Sequence, residues 1–202
     1  MPPRPDVLLF DLGGVLIDFE GVSALRALLP PGPTDAEIKA RWLACPHSEA
    51  FGCGRLDTEA FVASFLTDWD VPLAPDAFVA AYRSWARGWL PGAEALLREL
   101  HGRFTLAALS NCNPLHWERL TGELGVREAF DHAWSSHELG LRKPDPAIYQ
   151  EALQRLGCPP GVVLFFDDAP GNVAAARGCG MQAEVVDGPS AARAELMARG
   201  LI

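Results

Sequence analysis

Short apolar runs alternating with helical patterns predict a doubly wound α/β domain on a parallel sheet. A long stretch without any such run predicts an all-helical subdomain inserted into it. Residues 6–10, 104–109 and 162–166 are the apolar runs, and they close on Asp11, Ser110-Asn111 and Asp167-Asp168 respectively. Runs this short and this continuous suit strands buried on both faces of a sheet. Strands alternating with helices imply βαβ units and parallel pairing. Residues 17–87 break that rhythm.

The first strand is placed at 6–10. The inserted block then reads as helices only, at about 22–29, 35–44, 58–69 and 75–87, punctuated by Pro30-Pro31-Gly32-Pro33 and Gly52-Cys53-Gly54-Arg55. Asp57 or Thr58 opens the third of these, and Pro72 and Pro75 separate it from the fourth. Its joints fall near 17–20 and 88–92, which divides the chain into a core of 1–16 plus 88–202 and a helical subdomain of 17–87. In the core, residues 91–100 carry Leu96, Leu97 and Leu100 on one helical face. The strand at 104–109 follows, with a weaker one at 133–135. Residues 146–156 align Ile148, Tyr149, Ala152, Leu153 and Leu156; Asp145 stands as N-cap, Pro146 at the first helical position and Gly157 as the stop. After the strand at 162–166, the Ala-rich turn 172–177 is stopped by Gly178 and Gly180, and a last weak strand covers 183–186.

The 202 residues suit one large domain, or one domain with an insert. Hydrophobic residues at 49% and charged residues at 21% are ordinary for a globular chain. A net charge of −9 argues against broad electrostatic binding to nucleic acid or to an anionic membrane. It leaves the sign inside a single pocket open, so phosphate-bearing substrates remain candidates. No apolar run approaches the roughly 18 residues that cross a bilayer, and the segment before Asp11 is too short for a signal peptide. Five cysteines without a CxxC pair fit free thiols in a reducing cytoplasm. The five histidines lack zinc-ligand spacing. A cytoplasmic protein, monomeric or homodimeric, acting on a small metabolite is the expectation.

In open parallel sheets, ligands bind beyond the carboxyl ends of the strands. Asp11, Ser110-Asn111, Lys143 and Asp167-Asp168 therefore converge in principle. Each has an ordinary reading when taken singly: a cap or turn former, a turn, a solvated charge. The adjacent carboxylates are harder to dismiss, because like charges at a buried strand end repel unless a cation or proton intervenes. Mg²⁺ accepts carboxylate oxygens, waters and substrate phosphate. Together the four features point to attack by an aspartate on phosphorus, with Mg²⁺ neutralising the phosphoryl oxygens and Ser and Lys holding the rest.

Four segments in this order, Phe10-Asp11-Leu12-Gly13-Gly14-Val15-Leu16, Leu109-Ser110-Asn111, the run Gly140 to Tyr149 containing Arg142-Lys143-Pro144-Asp145, and Phe165-Phe166-Asp167-Asp168-Ala169-Pro170-Gly171-Asn172, resemble the motifs of the haloacid dehalogenase (HAD) superfamily. The resemblance extends over essentially the whole chain, includes a helical C1-type cap, and is nearest to phosphatases of α-D-glucose 1-phosphate. It implies Asp11 as the nucleophile, Ser110 holding the phosphoryl group with help from Asn111, and Lys143 neutralising both. Asp168 and the backbone carbonyl of Gly13 would bind Mg²⁺ together with Asp11, with Asp167 as ligand or support. Asn172 would orient a metal-bound water.

Gly13 is the main departure from that pattern. Most phosphatases of the superfamily carry there an aspartate that serves as general acid and base. Its loss slows the reaction least when the leaving group is good, such as an anomeric sugar oxygen. Asp18, Glu20, His47 and Glu49 are candidates to supply the proton instead. Arg55, in the turn 51–56, is a candidate substrate contact at the tip of the cap. Trp42, Trp69, Trp85 and Trp89 are read mainly as packing, Cys112 as a neutral buried thiol near the site, and His116-Trp117 as packing at the start of a helix. Two rivals stand beside the phosphatase: a metal-free dehalogenase, which has no need of Asp167-Asp168, and a catalytically weak binding or regulatory protein, kept open by Gly13. A phosphomutase is disfavoured by the missing acid.

Overall fold

Successive side chains of a strand point to opposite faces, so an uninterrupted apolar run forms only where both faces are covered. The computed structural model describes residues 3–202. The chain runs through β1 (Val7–Phe10), β2 (Ile17–Phe19), α1 (Gly21–Leu28), α2 (Asp35–Leu43), α3 (Pro46–Gly52), α4 (Thr58–Asp68), α5 (Pro75–Arg83) and β3 (Ala86–Trp89). It continues through α6 (Ala93–Leu100), β4 (Thr105–Ser110), α7 (Pro114–Gly122), α8 (Val126–Ala129), β5 (His132–Ser135), α9 (Ser136–Leu139) and α10 (Pro146–Leu156). The last elements are β6 (Val163–Asp167), α11 (Pro170–Gly178), β7 (Gln182–Val185) and α12 (Gly188–Ala198).

Five strands form one parallel sheet in the order β5-β4-β1-β6-β7. Leu8, Phe10, Leu106, Ala108, Leu164 and Phe166 pack on one face against α6, α7 and α12. Leu9, Ala107, Leu109, Val163 and Phe165 pack on the other against Ile148, Tyr149 and Ala152 of α10 and Val173 and Ala176 of α11. The odd–even split is the physical content of the apolar runs. The chain leaves β1 for β4 and β5 on one side, then crosses to β6 and β7 on the other. β1 therefore lies at the point where the strand order reverses, which is where open α/β sheets bind ligands. Helix boundaries follow local chemistry as expected. Asp57 caps α4 by accepting from Ala60 N–H at 2.8 Å, Asp145 caps α10 by accepting from Ala147 N–H at 2.9 Å, and Gly157 ends α10 in the left-handed region.

Helices α1 to α5 bury an apolar cluster of their own, centred on Phe51, Phe61, Phe65, Phe78 and Tyr82. The block is not helices only, as the sequence suggested. Residues Ile17–Phe19 and Ala86–Trp89 pair as a two-stranded antiparallel ribbon at its base. Three or four residues carrying Asp18, Arg87 and Gly88 are too short and too polar to show a strand period. Helix α3 is a second addition, falling between two expected helices. Its N-cap Cys45 makes no side-chain cap bond, and Phe51 is its one buried apolar residue, so no helical stripe announces it. Trp89 belongs to the sheet's apolar cluster rather than to the block's, and donates its indole N–H to the Leu124 carbonyl.

Candidate active site

The parallel register sets Phe10 beside both Ala108 and Phe166. The next residue, Asp11, is thereby held level with Asp167, and its N–H donates to the Phe166 carbonyl at 2.8 Å. Lys143 arrives from the loop before α10 with its side chain fully buried. Its Nζ lies 2.9 Å from Asp11 Oδ1 and donates to Asp167 Oδ2 at 2.7 Å. Asn111 fixes the lysine's backbone from both sides: Asn111 Nδ2 donates to the Lys143 carbonyl at 2.9 Å, and Lys143 N–H donates to Asn111 Oδ1 at 2.8 Å. The amide of Asn111 thus positions Lys143.

Asp167 has its oxygens occupied by protein donors. Oδ1 accepts from Ala169 N–H and Asn172 Nδ2, both at 2.9 Å, and Oδ2 accepts from Lys143 and from Asn172 at 3.0 Å. Asp11 Oδ1 accepts from Leu12 N–H at 2.7 Å and faces Lys143, leaving Oδ2 without a partner among the described residues. One ligand atom each from Asp11, Asp167 and Asp168 lie within 4.8 Å of one another. Asp168 is the exposed member of the three. Beside it, Gly14 sits at φ +75°, and a Cβ there would lie 2.9 Å from Asp168 Oδ2. Only glycine leaves that carboxylate its place.

Burial raises the Asp11 carboxyl to about 6; Lys143 opposes this and Asp167 adds to it. Burial also works against the Lys143 charge, yet Asp11 and Asp167 together hold its pKa above the ordinary lysine value. The lysine stays a cation between two carboxylates. Asp168 is pushed up by partial burial and then by Asp167, with Lys143 opposing. Three carboxylates facing one ammonium leave an excess of negative charge at the strand ends, as a bound divalent cation would require.

A cavity of about 260 Å³ opens above these groups. Asp11, Gly13, Ser110, Asn111, Lys143 and Asn172 line its floor. Ser110 is the last residue of β4 and is 6% exposed. Trp42, Ser48, Glu49 and Gly52 line it from the helical block. Arg55 does not line it. That side chain pairs with Glu49 at 3.0 Å and is half exposed, and the arginine at the cavity is Arg142, 3.7 Å from Glu49. Among the proton-donor candidates, Glu49 alone lines the cavity. Asp18 and Glu20 pair with Arg87, and His47 pairs with Asp68 at 2.7 Å. Cys112 lines the cavity with burial pushing its thiol up, so it is neutral as expected.

Sequence reasoning missed Tyr82, Asn113 and the polar role of His116. His116 Nε2 lies 2.7 Å from the Tyr82 carbonyl, Asn113 Nδ2 lies 2.9 Å from His116 Nδ1 and donates to Tyr82 Oη at 3.1 Å, and His116 N–H donates to Asn113 Oδ1. The Tyr82 and His116 rings stack at 4.5 Å. This network ties α5 to α7. The one sequence signal for it was Asn113-Pro114, an N-cap followed by Pro at the first helical position.

Burial lowers His116 to about 4, whereas an unfolded histidine titrates near 6.5. As pH falls from 6.5 towards 4, the unfolded chain takes up a proton that the native state refuses. His116 therefore contributes stability above pH 6.5 that is lost on acidification, about 3 kcal/mol in all. Urea unfolding at pH 7 and pH 4 is expected to show that loss shrinking in His116→Gln. An identical loss in wild type and variant would exclude His116 as the titrating group.

A sequence profile of the haloacid dehalogenase-like hydrolases matches residues 5–180. Haloacid dehalogenase-like hydrolase domain-containing protein 3 from Homo sapiens is 39% identical over 104 residues, 50% of this chain; the match spans 41% of that protein, less than half its length. Phosphatase MT3486 from Mycobacterium tuberculosis is 30% identical over 190 residues, 89% of this chain and 86% of that one. A HAD family enzyme from Bacteroides thetaiotaomicron, solved in complex with magnesium and inorganic phosphate, superposes with a TM-score of 0.76 at 21% identity, covering 90% of this chain and 93% of its own. The profile match and the Asp11–Lys143–Asp167 geometry agree: the chain belongs to the haloacid dehalogenase-like hydrolases.

Proposed function

We propose that the protein is a Mg²⁺-dependent phosphatase of small phosphomonoesters, sugar phosphates in particular, working through an aspartyl-phosphate on Asp11. The observation that carries this is the buried Lys143 held between Asp11 and Asp167, with Asp168 alongside. The donor set fits Mg²⁺, since it is made of hard oxygens. Asp11 Oδ2, the Asp168 carboxylate and the Gly13 carbonyl would hold the ion, and Asp167 would support them through Lys143 and Asn172. When bound, the ion supplies charge neutralisation on the phosphoryl oxygens.

In this reading Asp11 attacks phosphorus, while Ser110 and Lys143 hold the phosphoryl oxygens in line with it. The leaving oxygen departs into the cavity under α2 and α3, taking a proton from Glu49 or a water in that cavity, and residues 17–87 act as a cap that excludes bulk water. Water then cleaves the aspartyl-phosphate. Asn172 gives its amide hydrogens to Asp167, which leaves its side-chain oxygen to orient a water held at the ion. The relative named as a phosphatase supports the reading.

A panel of phosphorylated metabolites assayed with Mg²⁺ and with EDTA tests it. Turnover is expected with Mg²⁺ and a fall of about 10²-fold or more with chelator. Full activity on a halo-acid in EDTA, with none on phosphate esters, would replace the phosphatase by a dehalogenase.

A further inference from the structure

Two polar groups on the wall of the active-site cavity have hydrogen-bonding capacity that the protein does not use. Ser48 Oγ in α3 is buried and has no partner among the described residues. The second is Tyr82, and its spare proton follows from the network around it. The Tyr82 carbonyl can only accept, so His116 Nε2 carries the imidazole proton and Nδ1 is bare. Asn113 Oδ1 accepts from His116 N–H, which fixes the amide with Nδ2 donating to His116 Nδ1 and to Tyr82 Oη. Tyr82 Oη is thus an acceptor within the network, and its own O–H has no acceptor among the described residues. Burial holds that phenol well above its ordinary range, so it remains protonated.

Glu49 stands between Arg55 at 3.0 Å and Arg142 at 3.7 Å, and Lys143 faces Asp11 and Asp167. Trp42, stacked on Tyr82 at 6.0 Å, adds a flat apolar wall. Unused hydroxyls beside an aromatic wall suit an alcohol that carries further hydroxyl groups.

We propose that Tyr82 Oη and Ser48 Oγ form a hydroxyl-reading subsite that favours phosphomonoesters of polyols and sugars. Neither residue touches the transferred phosphoryl group. Tyr82 gives its proton to a substrate oxygen, and Ser48 donates to or accepts from a substrate hydroxyl. A site built around buried hydrogen-bonding groups discriminates against molecules that leave those groups unpaired. The proposal rests on the phosphatase reading.

Binding to Asp11→Asn protein with Mg²⁺, measured by titration calorimetry, separates the two ideas. Inorganic phosphate and glucose 1-phosphate are the probes. Glucose 1-phosphate is expected to bind tighter than inorganic phosphate. Adding Tyr82→Phe or Ser48→Ala is expected to cut its advantage over inorganic phosphate roughly tenfold. Ser48→Ala removes no existing hydrogen bond, so it reports on the subsite even where Tyr82→Phe disturbs the α5–α7 network. No advantage for the sugar phosphate, or an advantage that survives both substitutions, would overturn the subsite. Failure of inorganic phosphate itself to bind would overturn the phosphatase reading beneath it.

Discussion

Asp11→Asn is expected to lower turnover of p-nitrophenyl phosphate by at least about 10³-fold without lowering the melting temperature in EDTA. Removal of a covalent nucleophile takes with it every step that depends on the intermediate, and the residual rate reflects binding and charge alone. The stability half of the result follows from the carboxyl's environment. Asp11 titrates at about 6 in the folded protein because burial disfavours its charge, against about 4 for an exposed aspartate. A group with a raised folded pKa favours the native state below the unfolded pKa and loses that contribution as pH rises through 6. At pH 7 the ionised Asp11 opposes folding, and the isosteric amide lifts that opposition. Lys143 keeps Asp167 as a partner in the variant. Retained turnover would remove Asp11 from the nucleophile's role, whatever the melting temperature.

Gly13→Asp is the second large effect, and it runs the other way. A Cβ built on Gly13 meets only Phe19 Cβ, at 3.8 Å, and the backbone there lies outside the left-handed region. The position therefore accepts a side chain, and it lines the cavity that the proposed reaction gives to the leaving alcohol. An aspartate placed there gains general acid–base work, worth about 10²–10⁴-fold. The rate is expected to rise by about 10²-fold on alkyl phosphates, whose leaving groups need protonation, and by far less on p-nitrophenyl phosphate. Steady-state kinetics over a series of leaving-group pKa values checks this through the slope of log rate against pKa. Equal effects across the series would reject the view that Gly13 costs the enzyme a proton donor. The neighbouring glycine is different in kind: a side chain at Gly14 would collide with Asp168, so one glycine leaves room for a function and the other keeps room for a ligand.

The sheet and its polar strand ends were legible because both depend on local sequence. A strand buried on two faces needs an apolar run, and a residue just beyond it falls at the sheet's carboxyl edge; Asp11, Ser110 and Asp167 follow from that alone. The ribbon Ile17–Phe19 with Ala86–Trp89 was not legible, since three or four residues that include Asp18, Arg87 and Gly88 are too short and too polar to show a strand period. Arg142 and Arg55 show another limit at the site. Both are arginines in loops rich in Gly or Pro, and only the packing of α3 against α9 decides which of them reaches the cavity. Tyr82 and Ser48 were hidden for a related reason. Their significance lies in what their hydroxyls fail to meet, which is a property of the folded neighbourhood and not of the residue types.

The ribbon at the base of the helical block also bears on how the chain finds its fold. Val7 pairs with Thr105 across about a hundred residues of chain, and closing a loop of that size before any contact compensates for it is entropically slow. The pairing of Ile17 with Trp89 brings the two ends of the block together. Once the block and its ribbon have formed, the link from β1 to β4 shortens to the few residues on either side of the ribbon, plus α6. The insert then acts as a staple for the central strand pair, and the contact order that limits folding is that of the shortened chain.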